Sequence, residues 1–175
     1  MNNIRLFYQQ NLSEDLSGKL DKKQSHYVNK VMRIKENENF NIFNGGGEWL
    51  AKINKISKGI VEFKVVKQLR TKESTKEIWL AFSPIKSNYF NFMIQKATEL
   101  GVTKFIPIVF ERTIVRKINN ERLSKIIIEA SEQSNRINIP KLENLLKFEN
   151  FLKEYNKKIN LIFTDLNSDQ LFLSI

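Results

Sequence analysis

The chain has 175 residues, 41% of them hydrophobic, with no cysteine, one histidine and a net charge of +10. That much apolar material excludes a disordered chain, and the absence of cysteine excludes disulfides, thiolate nucleophiles and cysteine-containing zinc sites. The longest apolar runs, such as FIPIVF at 105–110, are too short to cross a bilayer, and MNNIRLFYQQ lacks a secretory layout. A soluble, cytoplasmic protein with no membrane partner and no metal site is expected.

The basic balance favours a polyanionic partner, because phosphates neutralised by Lys or Arg release condensed counterions. Abundant Lys, Asn and Ile is also what an A/T-rich genome would produce, so charge alone leaves the partner open. Residues 1–70 carry 13 Lys/Arg against 7 Asp/Glu, and residues 71–175 carry 16 against 12. No G-x-G-x-x-G and no phosphate loop occurs, so the common nucleotide fingerprints are absent.

Residues 1–70 read as a β-unit. After Ile4–Tyr8 and a helix over Lys22–Met32 come three β-rich segments: NFNIFN, EWLAKINKIS and IVEFKVVKQL. Asn44-Gly45-Gly46-Gly47 and Lys58-Gly59 supply the turn residues, and a small barrel is the natural closure. The triple glycine is read as a hairpin turn because no helix N-terminus follows it to face a phosphate. The polar stretch at 71–77 reads as a linker. Residues 78–175 then alternate strand and helix: IWLAFSP, a helix over Asn88–Leu100 stopped by Gly101, FIPIVF, a helix over Asn119–Ile137, a helix over Phe148–Tyr155, and NLIFTD. That rhythm predicts a parallel sheet, with ligands at the carboxyl ends of its strands near Ser83–Lys86, Glu111–Thr113 and Thr164–Asn167.

On the long helix, Leu123, Ile126, Ile127, Ala130, Ser134 and Ile137 form a core face. At 100° per residue, Glu129, Glu132, Gln133 and Arg136 form a polar stripe beside it. Glu132 and Arg136 have the i, i+4 spacing of a stabilising ion pair, so geometry alone assigns the stripe to solvent. The preceding helix likewise carries Gln95, Lys96 and Glu99 beside Phe90, Met93, Ala97 and Leu100.

The segments QKATELGVTKFIPIV, EASEQSNRINIPKL and HYVNKVMRIKENENFNIFNGGGEWLAKI resemble the bacterial ribosomal RNA small-subunit methyltransferase E family, nearly end to end and in order. The resemblance implies a PUA-like RNA-binding barrel followed by a SPOUT α/β domain with a trefoil knot. It implies methylation of N3 of a uridine in 16S (small-subunit) rRNA, S-adenosylmethionine as cofactor, and a homodimer at full length. Carried across by position, Arg5, His26, Lys30 and Arg33 would face RNA, joined by Lys86, Gln95, Lys96 and Gln133. SPIKSNYF departs from the family's usual proline-lysine pattern around Lys86.

Transfer to N3 needs loss of the N3 proton and stabilisation of negative charge spreading over the base. Arg136 is expected to stabilise that anion, Glu132 to orient the Arg136 guanidinium, and Glu99 or Glu132 to accept the proton. The family grips its cofactor with a glycine-rich loop of the I-G-P-E-G-G type and a later knot segment, both beyond the strand that reads NLIFTD here. Neither occurs before Ile175, so cofactor-binding residues are unassigned and a C-terminally truncated member is expected. The alternative is an RNA-binding module or inactive form without methyltransferase activity.

Overall fold

The structure is a computed structural model that describes residues 4–72, 74–154, 160–163 and 173–174. A five-stranded sheet in the order β1-β3-β4-β5-β2 comprises β1 (Arg5–Phe7), β2 (Ser17–Lys19), β3 (Asn39–Asn44), β4 (Gly47–Ser57) and β5 (Ile60–Thr71). Only β1 and β3 pair in parallel; the others are antiparallel. Alternating residues Phe40 and Ile42, Ala51 and Ile53, and Val61, Phe63 and Val65 turn inward and are essentially fully buried. Tyr8, just past β1, sets its ring edge-on against Phe63 with centroids 5.3 Å apart, so the sheet curls around one core.

Both hairpins form where turn residues were expected. Lys58 and Gly59 adopt φ of 50° and 78°, a pair of left-handed residues that matches strand twist. At the other hairpin the Asn44 side chain accepts the Gly46 N–H, and Gly47 lies so near the Arg70 carbonyl that a Cβ would stand 2.6 Å from it. Helix α1 (Lys22–His26), capped by Asp21, is shorter than the sequence predicts: Tyr27–Val31 widens into a π-turn and Arg33 ends it at φ 55°. Val28 from this turn plugs the barrel core.

β5 reaches Thr71 and β6 (Trp79–Phe82) opens the second unit, followed by α2 (Ser87–Glu99), β7 (Lys104–Val109), α3 (Asn120–Gln133), β8 (Lys141–Leu142), β9 (Leu146–Lys147) and α4 (Phe148–Glu154). β7 lies between parallel partners, β6 on one side and β8 then β9 on the other. After Lys104 its run FIPIV is apolar because both faces are covered: Phe105 packs with α2 and α3, while Ile106 and Ile108 pack with Phe151 of α4. The expected strand NLIFTD does not join this sheet among the described residues. β10 (Ile162–Phe163) pairs instead with β11 (Leu173–Ser174) in a separate antiparallel ladder, and Thr164–Asn167 lies outside the described residues.

The helix expected over Asn119–Ile137 ends at Gln133. Asn135 takes φ 61° and the Arg136 N–H returns to the Ser131 carbonyl, a left-handed stop that satisfies one of the last carbonyls. α2 closes the same way, with Gly101 at φ 105° and the Val102 N–H on the Ala97 carbonyl. Arg136 is therefore not on the helix, and the expected i, i+4 pairing with Glu132 does not form.

Candidate RNA-facing surface and inter-domain site

The carboxyl end of α3 is driven against the barrel. Arg5 on β1 does not face outward as the resemblance implied; it is 8% exposed. Its Nη1 donates to the Ser131 carbonyl at 3.0 Å and its Nη2 to the Arg136 carbonyl at 2.7 Å. Nε lies 3.1 Å from Glu48 Oε1, an ion-pair contact rather than a straight hydrogen bond, and the guanidinium sits 3.8 Å above the Phe43 ring. Burial lowers the Arg5 pKa from its ordinary value, opposed by Glu48. Glu48 also pairs with Arg70, whose Nη1 donates to the Asn135 carbonyl.

Glu132, expected beside Arg136, turns the other way and accepts the Phe7 N–H at 2.9 Å. Burial raises its pKa; that hydrogen bond partly offsets the rise. Arg136 sends Nη1 to the Thr98 and Val102 carbonyls at 2.5 and 2.9 Å, both at the carboxyl end of α2. Burial lowers its pKa. It borders a cavity of about 320 Å³ with Lys72, Thr103 and Asn138. Glu99 remains on the outer side of α2, accepting from Lys96 at 2.7 Å and Gln95 at 3.0 Å, contacts that hold its pKa below the ordinary value.

The three expected catalytic side chains thus have three different sets of partners. All three lie where α2 and α3 end, at the amino edge of the parallel strands, where Thr103 and Lys141 bond to Ile78 and Thr103. At the opposite edge Ser83 Oγ and Thr113 Oγ1 are 2.9 Å apart and Thr113 also accepts the Phe110 N–H. Lys86 is exposed there at the start of α2, with no side-chain capping bond.

His26, Lys30 and Arg33 are exposed on α1 and the turn after it, and their side chains make no hydrogen bond or ion pair among the described residues. Exposed Tyr27 and Val31 lie between them. Gln95 and Gln133 line a groove of about 630 Å³ between α2 and α3, with Asn91, Phe92, Arg122 and Glu129. Sequence reasoning missed Glu48 and Arg70. The available signal was Arg5 itself, a charge between Ile4 and Leu6 in an apolar strand, which requires a buried partner.

No described helix is long and apolar enough to cross a membrane. A curled β-unit with an exposed basic turn, joined to a parallel α/β unit by hydrogen bonds from Arg5 and Arg70 to carbonyls at the end of α3, has the organisation of a two-domain nucleic-acid-binding protein. A family model described as an RNA methyltransferase PUA domain matches residues 20–66, and one described as an RNA methyltransferase domain matches residues 72–174. The chain belongs to the RNA methyltransferase family of the ribosomal RNA small subunit methyltransferase E type.

Ribosomal RNA small subunit methyltransferase E of Rickettsia conorii is 39% identical over 132 residues, covering 75% of this chain and 54% of that protein. The protein of the same name from Synechocystis sp. is 33% identical over 138 residues, covering 75% and 44%. The chain spans about half the length of these curated relatives. The crystal structure of the Neisseria gonorrhoeae protein of that name, bound to S-adenosyl methionine, superposes with a TM-score of 0.80 at 27% identity, covering 90% of this chain and 67% of that one. A putative methyltransferase from Legionella pneumophila in complex with the same cofactor gives 0.82 at 28% identity, covering 92% and 70%.

Proposed function

We propose that this chain serves S-adenosylmethionine-dependent methylation of small-subunit (16S) rRNA in the cytoplasm, at N3 of a uridine. The observation that carries the reading is the ordered pair of matches, PUA domain then RNA methyltransferase domain, over residues 20–66 and 72–174. S-adenosylmethionine, when bound, supplies the methyl group. At the carboxyl edge of the sheet the hydroxyls of Ser83 and Thr113 are engaged with each other.

The chain's own contributions are therefore binding and positioning. His26, Lys30 and Arg33 meet the RNA backbone as exposed, unpaired groups, and Lys86, Gln95, Lys96 and Gln133 offer further polar contacts from the α/β unit. Arg136 holds the end of α2 and Glu132 ties α3 to the Phe7 N–H of the barrel, while Glu99 is engaged by Lys96 and Gln95 on its own helix. Exposed Tyr89 and Phe92 on α2 offer apolar surface to a second copy in a homodimer.

The test is methyl transfer from labelled S-adenosylmethionine to unmodified small subunits. Label at a uridine N3 is the expected result. Salt-dependent RNA binding without label supports the second reading, an RNA-binding form without catalysis, which rests on the PUA-domain match over residues 20–66. Arg33→Ala should lower the slope of log affinity against log salt by about 1, measured by fluorescence anisotropy.

A further inference from the structure

We infer that Arg5 is an inter-domain positioning residue: the barrel supplies the cap for the end of α3, and Arg136 passes that restraint on to the end of α2. A helix leaves its last four carbonyls without internal partners, and a cation there is favoured by the helix dipole. Here the cation comes from a strand more than a hundred residues away: Arg5 reaches Ser131 across 126 positions and Arg136 across 131. A guanidinium suits the task because its flat fork serves two carbonyls at once, whereas an ammonium is a point donor.

The second link follows directly. The Arg136 carbonyl is held by Arg5, and its side chain holds the Thr98 and Val102 carbonyls at the end of α2. Displacing Arg5 therefore loosens the Arg136 peptide, and through it both helix ends. Glu48 keeps Arg5 in place from one side and the Phe43 ring from below. The helices bearing Gln95, Glu99, Glu132 and Gln133 are thus fixed in register with the barrel. The consequence for RNA register rests on the proposed function; the capping relay does not.

Hydrogen exchange on the intact chain tests the relay. In Arg5→Ala, the amides of Ser134, Arg136, Gly101 and Val102 should exchange about tenfold faster or more, the scale of a lost charge-assisted hydrogen bond. Arg5→Lys should give an intermediate acceleration, and Arg33→Ala none. RNA affinity of Arg5→Ala should keep the wild-type salt slope, whereas an RNA-contacting Arg5 would lower it as Arg33→Ala does. Unchanged exchange at both helix ends, or a lowered salt slope for Arg5→Ala, overturns the inference. If Arg5→Ala does not fold, Arg5→Lys and Glu48→Gln decide it by the same amides. Absence of any RNA binding by the wild type would defeat the proposed function while leaving the exchange result decisive.

Discussion

The barrel and the α/β unit bury their apolar residues to different degrees. The barrel wraps long strands, β4 and β5 of 11 and 12 residues, around a single continuous core. The α/β unit uses strands of 2–6 residues and divides its core between two clusters on the two faces of β7. Of the 14 large hydrophobic residues exposed among the described residues, 10 lie beyond residue 77. Local pairing builds nearly all of the barrel, with Glu132 accepting the one N–H of Phe7 at its edge, whereas the end of α3 draws its order from Arg5 and Arg70 of the barrel.

That contrast is sharpest at core positions. Phe63→Ala should cost about 3–5 kcal/mol in urea unfolding, because the ring is 1% exposed and packs edge-on against both Tyr8 and Phe40. Leu100→Ala, at a side chain 83% exposed, should stay within about 0.5 kcal/mol. A large loss at Leu100 would break the comparison, since it would mean that this surface is covered in solution. Gly47→Ala comes next, at about 1–3 kcal/mol, because the new methyl would meet the Arg70 carbonyl at 2.6 Å. Its effect should spread from the barrel to α3, since Arg70 also holds Asn135; exchange at Ser134 would detect that spread.

The two units were not equally legible in the sequence. FIPIVF, the Gly101 stop and the Lys58-Gly59 turn were readable because each depends on a few neighbouring residues. The stripe of Glu129, Glu132, Gln133 and Arg136 failed as a helical ruler because Asn135 enters the left-handed region and ends the regular 100° step. Arg5 was misplaced for a related reason. Its partners are backbone carbonyls of a distant helix end, which leave no mark in residue type, so family position suggested RNA where packing supplied α3. The π-turn at Tyr27–Val31 is equally invisible to a periodicity argument that assumes one helical pitch.

Smaller effects probe how far each unit caps its own helices. Asn119→Ala should cost about 1 kcal/mol, because the Asn119 side chain accepts the Arg122 N–H at the start of α3. That loss should appear as faster exchange in the first turn of α3 and leave the barrel unchanged. Cap loss at the start of α3 would then stay local, whereas disturbance at its end would cross between the units.

Glu132→Gln has the smallest expected size and the most informative sign. Glu132 has a folded-state pKa above its ordinary value, chiefly from burial against the barrel. Its protonated form is therefore the one folding favours, and the stabilisation is complete below the ordinary glutamate range and lost as pH rises through the raised pKa. Gln keeps an oxygen to accept the Phe7 N–H and carries no charge to desolvate. Relative to wild type, Glu132→Gln should thus gain stability as pH rises from the acid range toward neutral, measured by urea unfolding at several pH values. A trend of the opposite sign would mean that the carboxylate is stabilised at the interface, with Arg5 and Lys23 outweighing burial. The junction would then be held by charge attraction at Glu132 as well as by the hydrogen bonds of Arg5 and Arg70, and the α/β unit would depend on the barrel more at neutral pH than in acid.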